Sequence, residues 1–341
     1  MKGFGSDNHS GIYPELLEAL VVCNSEHAPS YGTDVFSEKA KDSFKKLFGA
    51  QTQVYFVFNG TAANVLALQT IMKRHEAVLC TKISHLNLDE CGAPEFFAGK
   101  LIPLDHVDGK VTLEILQQSL TRRGDQHFSQ PRVVSLTQPT EVGTCYSLSE
   151  IKEITDWAHR HQMFVHIDGS RLSNALIYLK TTFQEMTSDL GIDIVSFGGT
   201  KNGLMMGEAI LVLNPKIGED LKYLRKQAAQ LPSKTRFIAA QFESYLEKKL
   251  FQKISTHVCE LAEDLYQQLK LIPELKISYP RQSNAVFVKI PQAWIKTLRE
   301  KYFFYVWDEK TFECRLMISW DSTRDEINSF VDLAKSLSKM Q

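Results

Sequence analysis

Seven apolar runs recur along the first two thirds of the chain: Gln53 to Phe58, Ala77 to Ile83, Lys100 to Asp105, Arg132 to Thr137, Met163 to Asp168, Asp193 to Gly198 and Glu208 to Leu213. Most are continuous rather than alternating, the pattern of strands covered on both faces. Segments of helical spacing separate several of them. The clearest is Ser149 to Gln162, where Ile151, Ile154, Trp157 and Ala158 recur at helical intervals behind a capping-box sequence, Ser147-x-x-Glu150. Strand, helix, strand implies parallel pairing, so the expected fold is α/β, with a mainly parallel seven-stranded sheet wrapped by helices. After about Phe242 the pattern changes to a long helix, Gln241 to Leu271. Short strands near Leu275 to Tyr279, Asn284 to Ile290 and Phe312 to Trp320 follow, and a helix from Thr323 closes the chain. These elements predict a small C-terminal α+β domain. A single core stops growing near roughly 250–300 residues, so 341 residues at 43% hydrophobic composition suit one large and one smaller core. The expected division is residues 1–243, N-terminal segment included, and 244–341.

Charge and cysteine usage narrow the function. Thirty-nine basic against forty acidic residues leave a formal charge of −1, with no basic tract to attract nucleic acid or anionic lipid. No apolar stretch approaches the roughly 20 residues a membrane span needs, and MKGFGSDNHSG lacks the apolar core of a signal peptide. A cytoplasmic protein without nucleic-acid or membrane partners is expected. Six scattered cysteines form no C-x-x-C pair and have no histidine at zinc spacing, so reduced thiols and no metal site are expected.

In a mainly parallel sheet, functional loops gather at the carboxyl ends of the strands. Several chemically distinctive residues obey that rule: Gly60 and Thr61 after one run, His85 after another, Asp168 and Arg171 after a third, Lys201 after a fourth. Lys201 lies in FGGTKNG and Asp168 in FVHIDGSR. A lysine on a glycine-lined turn beside an apolar strand can be desolvated into an imine-forming nucleophile. An aspartate at a neighbouring strand end can keep a pyridine nitrogen protonated, and together the two suggest pyridoxal phosphate. A lone lysine after glycines is more often a solvated loop residue. The segment NGTAAN opens a helix whose first N–H groups suit a phosphate, or it is an ordinary turn capped by Thr61. His85 could stack on a flat cofactor or move a proton, or be structural. Arg171 and Arg315 could grip a carboxylate, although loop arginines are usually solvated.

The segments SDNHSG, APSYGTD, FNGTAAN, SHLNLDECGAPEFF, TQPTEVGT, HIDGSR and FGGTKNG, in this order and spacing, resemble the threonine aldolases among the β-eliminating lyases. The likeness runs from Ser6 to Asp321. FGGTKNG and the SDN opening resemble the bacterial low-specificity branch. This resemblance implies the fold type I, aspartate-aminotransferase-like architecture of pyridoxal 5'-phosphate enzymes. The implied activity is retro-aldol cleavage of L-threonine and L-allo-threonine to glycine and acetaldehyde, by a homotetramer built from dimers with sites at the subunit interface. By motif match, Lys201 carries the imine, Asp168 pairs the pyridine nitrogen and His85 stacks on the ring. Gly60 and Thr61 hold the phosphate, while Ser6, Arg171 and Arg315 bind the substrate carboxylate, Arg171 lying against the cofactor as well. Lys226 and Arg236, in LRKQAAQLPSKTR, match basic residues that reach the neighbouring subunit's phosphate. Two departures stand out. Ser170 replaces an alanine common in the aspartate motif, and QPTEVG replaces a segment that carries a histidine in another branch. The acceptor of the hydroxyl proton is therefore open among His85, Glu90, Glu141 and a bound water. The rival readings are a lyase that eliminates at Cβ of another amino acid, and a cofactor-binding protein without turnover.

Overall fold

The computed structural model describes residues 3–339; the outermost ends of the two expected domains, residues 1–2 and 340–341, lie outside the described residues. Seven strands form the larger sheet: β1 Gln53–Val57, β2 Glu76–Thr81, β3 Lys100–Leu104, β4 Gln130–Thr137, β5 Phe164–Gly169, β6 Ile194–Phe197 and β7 Glu208–Val212. Their order is β1-β7-β6-β5-β4-β2-β3. Pairings from β3 through β6 are parallel, and β7 runs antiparallel to both of its neighbours. Every residue of β6 and β7 is buried, which explains why those runs carry no polar alternation.

One apolar layer packs on each face of this sheet. On one side Phe44, Phe48, Phe56, Phe183, Phe197 and Phe242 build an aromatic cluster, with Phe48 stacked on Phe183 at 4.8 Å and Phe44 edge-on to Phe197 at 5.3 Å. On the other side the helix Gly60–Ile71 lays Leu66, Ala67 and Ile71 over Val78, Ile194 and Ile210. The predicted capping box is present: Ser147 caps the helix Leu148–Arg160, its hydroxyl accepting from Glu150 N while the Glu150 carboxylate accepts from Ser147 N.

Four antiparallel strands form the second sheet, in the order β10-β11-β9-β8: β8 Lys276–Ile277, β9 Ala285–Lys289, β10 Tyr305–Asp308 and β11 Glu313–Met317. The helices Leu250–Leu269, Gln292–Lys301 and Arg324–Ser338 cover it through Leu261, Leu265, Trp294, Leu298, Ile327 and Phe330. The N-terminal segment is tied to this layer. Phe4 N donates to Phe303 O, Met317 N donates to Phe4 O, and the Phe4 ring is buried against Tyr302 and Phe330.

Two expectations at the helix level need correction. The single long helix predicted over Gln241 to Leu271 is two helices, Arg236–Glu247 and Leu250–Leu269, broken where Lys249 adopts φ 52°. That left-handed residue is a lysine and not the glycine or asparagine that usually marks such a break. The helix after β1 is capped by Asn59, whose side chain accepts from Ala62 N, and not by Thr61. Strand β10 carries no matching expectation.

Candidate active site

The carboxyl ends of β4, β5 and β6 open into a cavity of about 460 Å³, lined among others by His85, Asp168, Arg171, Lys201, Ser6 and Arg315. Lys201 sits in a short turn, Thr200–Asn202, between β6 and the returning β7. The two glycines before it are demanded by close backbone approach. A Cβ at Gly198 would lie 2.1 Å from Ser170 O, and one at Gly199 would lie 2.3 Å from Gly207 O. Asn202 ties this turn to the one after β5, its Nδ2 donating to Ser170 O at 3.0 Å and Gly198 O at 2.9 Å. Glu208, at the start of β7, accepts from Gly199 N at 2.5 Å. Burial lowers the pKa of the Lys201 amine and the Arg171 charge adds to it; Asp7, Asp168 and Glu208 oppose them without cancelling the shift. A larger share of the amine is thus neutral and nucleophilic than in a solvated lysine.

Asp168 ends β5 and is buried. Burial alone raises its pKa, but Lys201, His85 and His166 outweigh that effect, and the carboxyl is held below its ordinary value. Asn64 Nδ2 donates to Asp168 Oδ2 at 3.0 Å and Ser170 N donates to Oδ1 at 3.1 Å. The same Asn64 amide donates to Glu90 Oε1 at 2.8 Å, and that oxygen accepts from His85 Nδ1 at 2.7 Å. This bond to Glu90 is the main reason the His85 pKa is raised, against the opposing effect of burial. Ligand atoms of His85, Glu90 and Asp168 gather within 4.8 Å of one another, the spacing of a cation site. Asn64 donates to both carboxylates there.

The two arginines differ. Arg171 is engaged by Asp7 in a bidentate pair, Nε to Oδ2 at 2.5 Å and Nη2 to Oδ1 at 2.9 Å. Arg315 projects from β11 with Nη2 donating to Gly5 O at 3.2 Å, while its buried Nε has no hydrogen-bond partner. Its guanidinium lies 4.6 Å from the centre of the Trp307 ring. Burial, with Arg171 adding to it, brings its pKa down to about 10, so it remains a cation at neutral pH. Ser6 lines the same cavity and its Oγ accepts from Asn8 N.

Six predicted residues therefore share one cavity: Ser6, His85, Asp168, Arg171, Lys201 and Arg315. Four others are not on its wall. Gly60 and Thr61 open the helix after β1. Lys226 is exposed, with Nζ 5.3 Å from the Tyr31 ring centre, and Arg236 donates to the carbonyls of Ser25 and Glu26. Asp7, Asn64, Asn202 and Glu208 carry much of the site's hydrogen bonding and were not among the predicted site residues. Asn64 and Asn202 had one available signal: each lies within a strand-end segment already singled out, NGTAAN and FGGTKNG.

The beta-eliminating lyase family matches residues 3–293 of the chain. The chain belongs to that family. Among beta-eliminating lyases it is similar to a low specificity L-threonine aldolase of Pseudomonas sp. (strain NCIMB 10558), with 40% identity over 321 residues, 94% of this chain and 93% of that one. A low specificity L-threonine aldolase of Pseudomonas aeruginosa is 38% identical over 327 residues, 95% of this chain and 94% of that one. The solved threonine aldolase of Leishmania major superposes with a TM-score of 0.94 at 28% identity, covering 99% of this chain and 100% of that one. The fold is thus that of fold type I pyridoxal phosphate enzymes, and this member of the family is a pyridoxal phosphate enzyme. Its residues fit that cofactor. A lysine amine shifted toward neutrality, a buried ionised carboxylate and an imidazole ring face one cavity, which is the donor set an aldehyde-bearing pyridine requires.

Proposed function

We propose that this chain cleaves L-threonine and L-allo-threonine, and related β-hydroxy-α-amino acids, to glycine and an aldehyde, acetaldehyde in the case of threonine. The observation that carries this reading is the placement of Lys201 and Asp168 at adjacent strand ends, in one cavity with an arginine whose Nε is free of partners. Pyridoxal phosphate, when bound, supplies the carbonyl that condenses with amines and the ring that accepts electrons released at Cα. Lys201 would hold the cofactor through its nitrogen, and Asp168, ionised, would keep the ring nitrogen protonated. His85, fixed by Glu90, would face the ring of the bound cofactor. Arg315 binds the substrate carboxylate together with Ser6. Arg171, oriented by Asp7, supports both carboxylate and cofactor.

Gly60 and Thr61 hold the phosphate at the start of their helix, joined by Lys226 and Arg236 of a neighbouring copy. Of the described residues, 3–243 form the cofactor-binding unit, with its N-terminal strap packed on the smaller unit of 244–339. The assembly is a homotetramer of dimers in the cytoplasm. Two observations support this wider reading. Val21, Phe58, Met205 and Met206 are exposed around an apolar groove of about 580 Å³, a surface suited to a second copy. Among the described residues no helix is long and apolar enough to cross a membrane.

Product analysis tests the reaction. Protein loaded with pyridoxal phosphate and given L-threonine should release glycine and acetaldehyde in equal amounts. Ammonia with a 2-oxo acid in their place would establish elimination at Cβ and reject the aldol reading.

A further inference from the structure

Glu141 lies in the loop after β4, on the wall of the Lys201 cavity. One carboxylate oxygen, Oε1, is fixed by two donors, His85 N at 3.0 Å and Thr137 Oγ1 at 2.7 Å. The other, Oε2, is buried and has no hydrogen-bond partner. An unpaired buried carboxylate oxygen is costly, and such groups mark places where a ligand completes the bonding. A hydroxyl on the substrate would supply the missing donor.

The neighbouring candidates are less suited to accept a proton. His85 has Nδ1 engaged by Glu90, which holds the ring toward its cationic, proton-donating form. Glu90 is buried behind His85 and Asn64 and is not on the cavity wall. Asp89 lines the cavity but is exposed. Asp168 is held by Asn64 and Ser170.

We infer that Glu141 takes the proton from the substrate's β-hydroxyl oxygen as the Cα–Cβ bond breaks. This assignment rests on the proposed retro-aldol reaction and identifies the residue that starts it. The O–H bond breaks and its proton passes to Oε2. The oxygen's electron pair forms the aldehyde C=O, and the Cα–Cβ pair remains with the Cα fragment, where the bound cofactor would accept it. Cα then gains one proton while Glu141 releases the one it took, so the proton count closes on glycine and acetaldehyde. Burial brings the Glu141 carboxyl up to about 7, close to the value at which a base works best in neutral solution. The groups that face it are Asp168 of β5, Arg171 in the turn beyond, His85, Cys80 of β2 and Tyr146.

Glu141→Gln, which keeps an oxygen for His85 N and Thr137, tests the assignment in the cofactor-loaded enzyme. Two reactions are followed: cleavage of L-threonine, and exchange of a glycine α-hydrogen for deuterium, which needs Lys201 and the cofactor but no hydroxyl proton transfer. The expected result is a loss of about 100-fold or more in kcat for cleavage, with glycine exchange within threefold of wild type. The acidic limb of the wild-type kcat/KM profile near pH 7 should also disappear. Cleavage within threefold of wild type with an unchanged pH profile would overturn the assignment. Parallel loss of exchange and cleavage would overturn it too, because Glu141 would then support the site as a whole. A wild-type enzyme that exchanges glycine but makes none from threonine would fail the reaction itself and take this assignment with it.

Discussion

Arg171 directs Nε and Nη2 at Asp7, whereas Arg315 leaves Nε without a partner beside the Trp307 ring. Sequence alone treats the two as equivalent, because an arginine's partners depend on what the fold brings opposite it. Asp7 is in the polar opening SDNHSG, which was readable through the resemblance alone and there gave a role to Ser6 but not to Asp7; the pairing of Phe4 with Phe303 and Met317 helps bring it opposite Arg171. Burial alone would raise the Asp7 pKa; Arg171, with Lys201 and Asn284, outweighs this and holds the carboxyl below its ordinary value, so the pair is ionic. Lys201, Asp168 and His85 were legible because chemistry restricts which residue types can serve an imine, a pyridinium and a flat ring. Asn64 and Asn202 were not, since an amide acquires its role only from the two groups it bridges. The prediction at this scale is that Arg315→Lys raises KM for L-threonine by roughly 10- to 100-fold and leaves kcat within a few-fold, as for loss of a bidentate ground-state contact. Steady-state kinetics decide it. An unchanged KM would move the carboxylate site away from Arg315.

Among the elements, β7 shows how a strand can serve the site without reaching into it. Its antiparallel return pairs Ala209 with Phe197 and so sets Glu208 just past the carboxyl end of β6, where it accepts from Gly199 N. Burial raises the Glu208 carboxyl from an ordinary 4.5 to about 7. The folded protein therefore holds this proton more tightly than the unfolded chain, and stability falls as pH rises from about 4.5 to about 7. Glu208→Gln keeps an acceptor for Gly199 and removes that ionisation. In urea unfolding of the apoprotein, the variant should gain on wild type as pH goes from 5 to 8, by about 2 kcal/mol. A gap that stays constant or narrows would contradict the buried ionisation. The seven strands were legible from unbroken apolar runs, and the capping box at Ser147 from its own spacing. The break at Lys249 was not, because no glycine or proline interrupts the helical pattern there. Strand β10 escaped because Tyr305 and Trp307 are exposed and lie two and four residues beyond Phe303, so its apolar pattern merges with the preceding helix end.

At the scale of the molecule, two sheets and an N-terminal strap supply one cavity. The parallel strands deliver Asp168, Lys201 and the His85 and Glu141 loops from one edge. β11 delivers Arg315, and the strap delivers Ser6 and Asp7. The strand-end rule made the first group readable before any coordinates. The second group depends on how the smaller sheet docks, which local periodicity does not encode. This convergence makes Lys201 the lysine whose amine faces the cavity beside Asp168 and is shifted toward neutrality, so it alone should capture the cofactor stably. Reductive trapping tests that directly: load the protein with pyridoxal phosphate, reduce with borohydride, digest, and locate the pyridoxyl group by mass spectrometry. One modified site is expected, Lys201, and none in Lys201→Ala. A stable label on another lysine in the wild-type protein, with Lys201 unmodified, would contradict it.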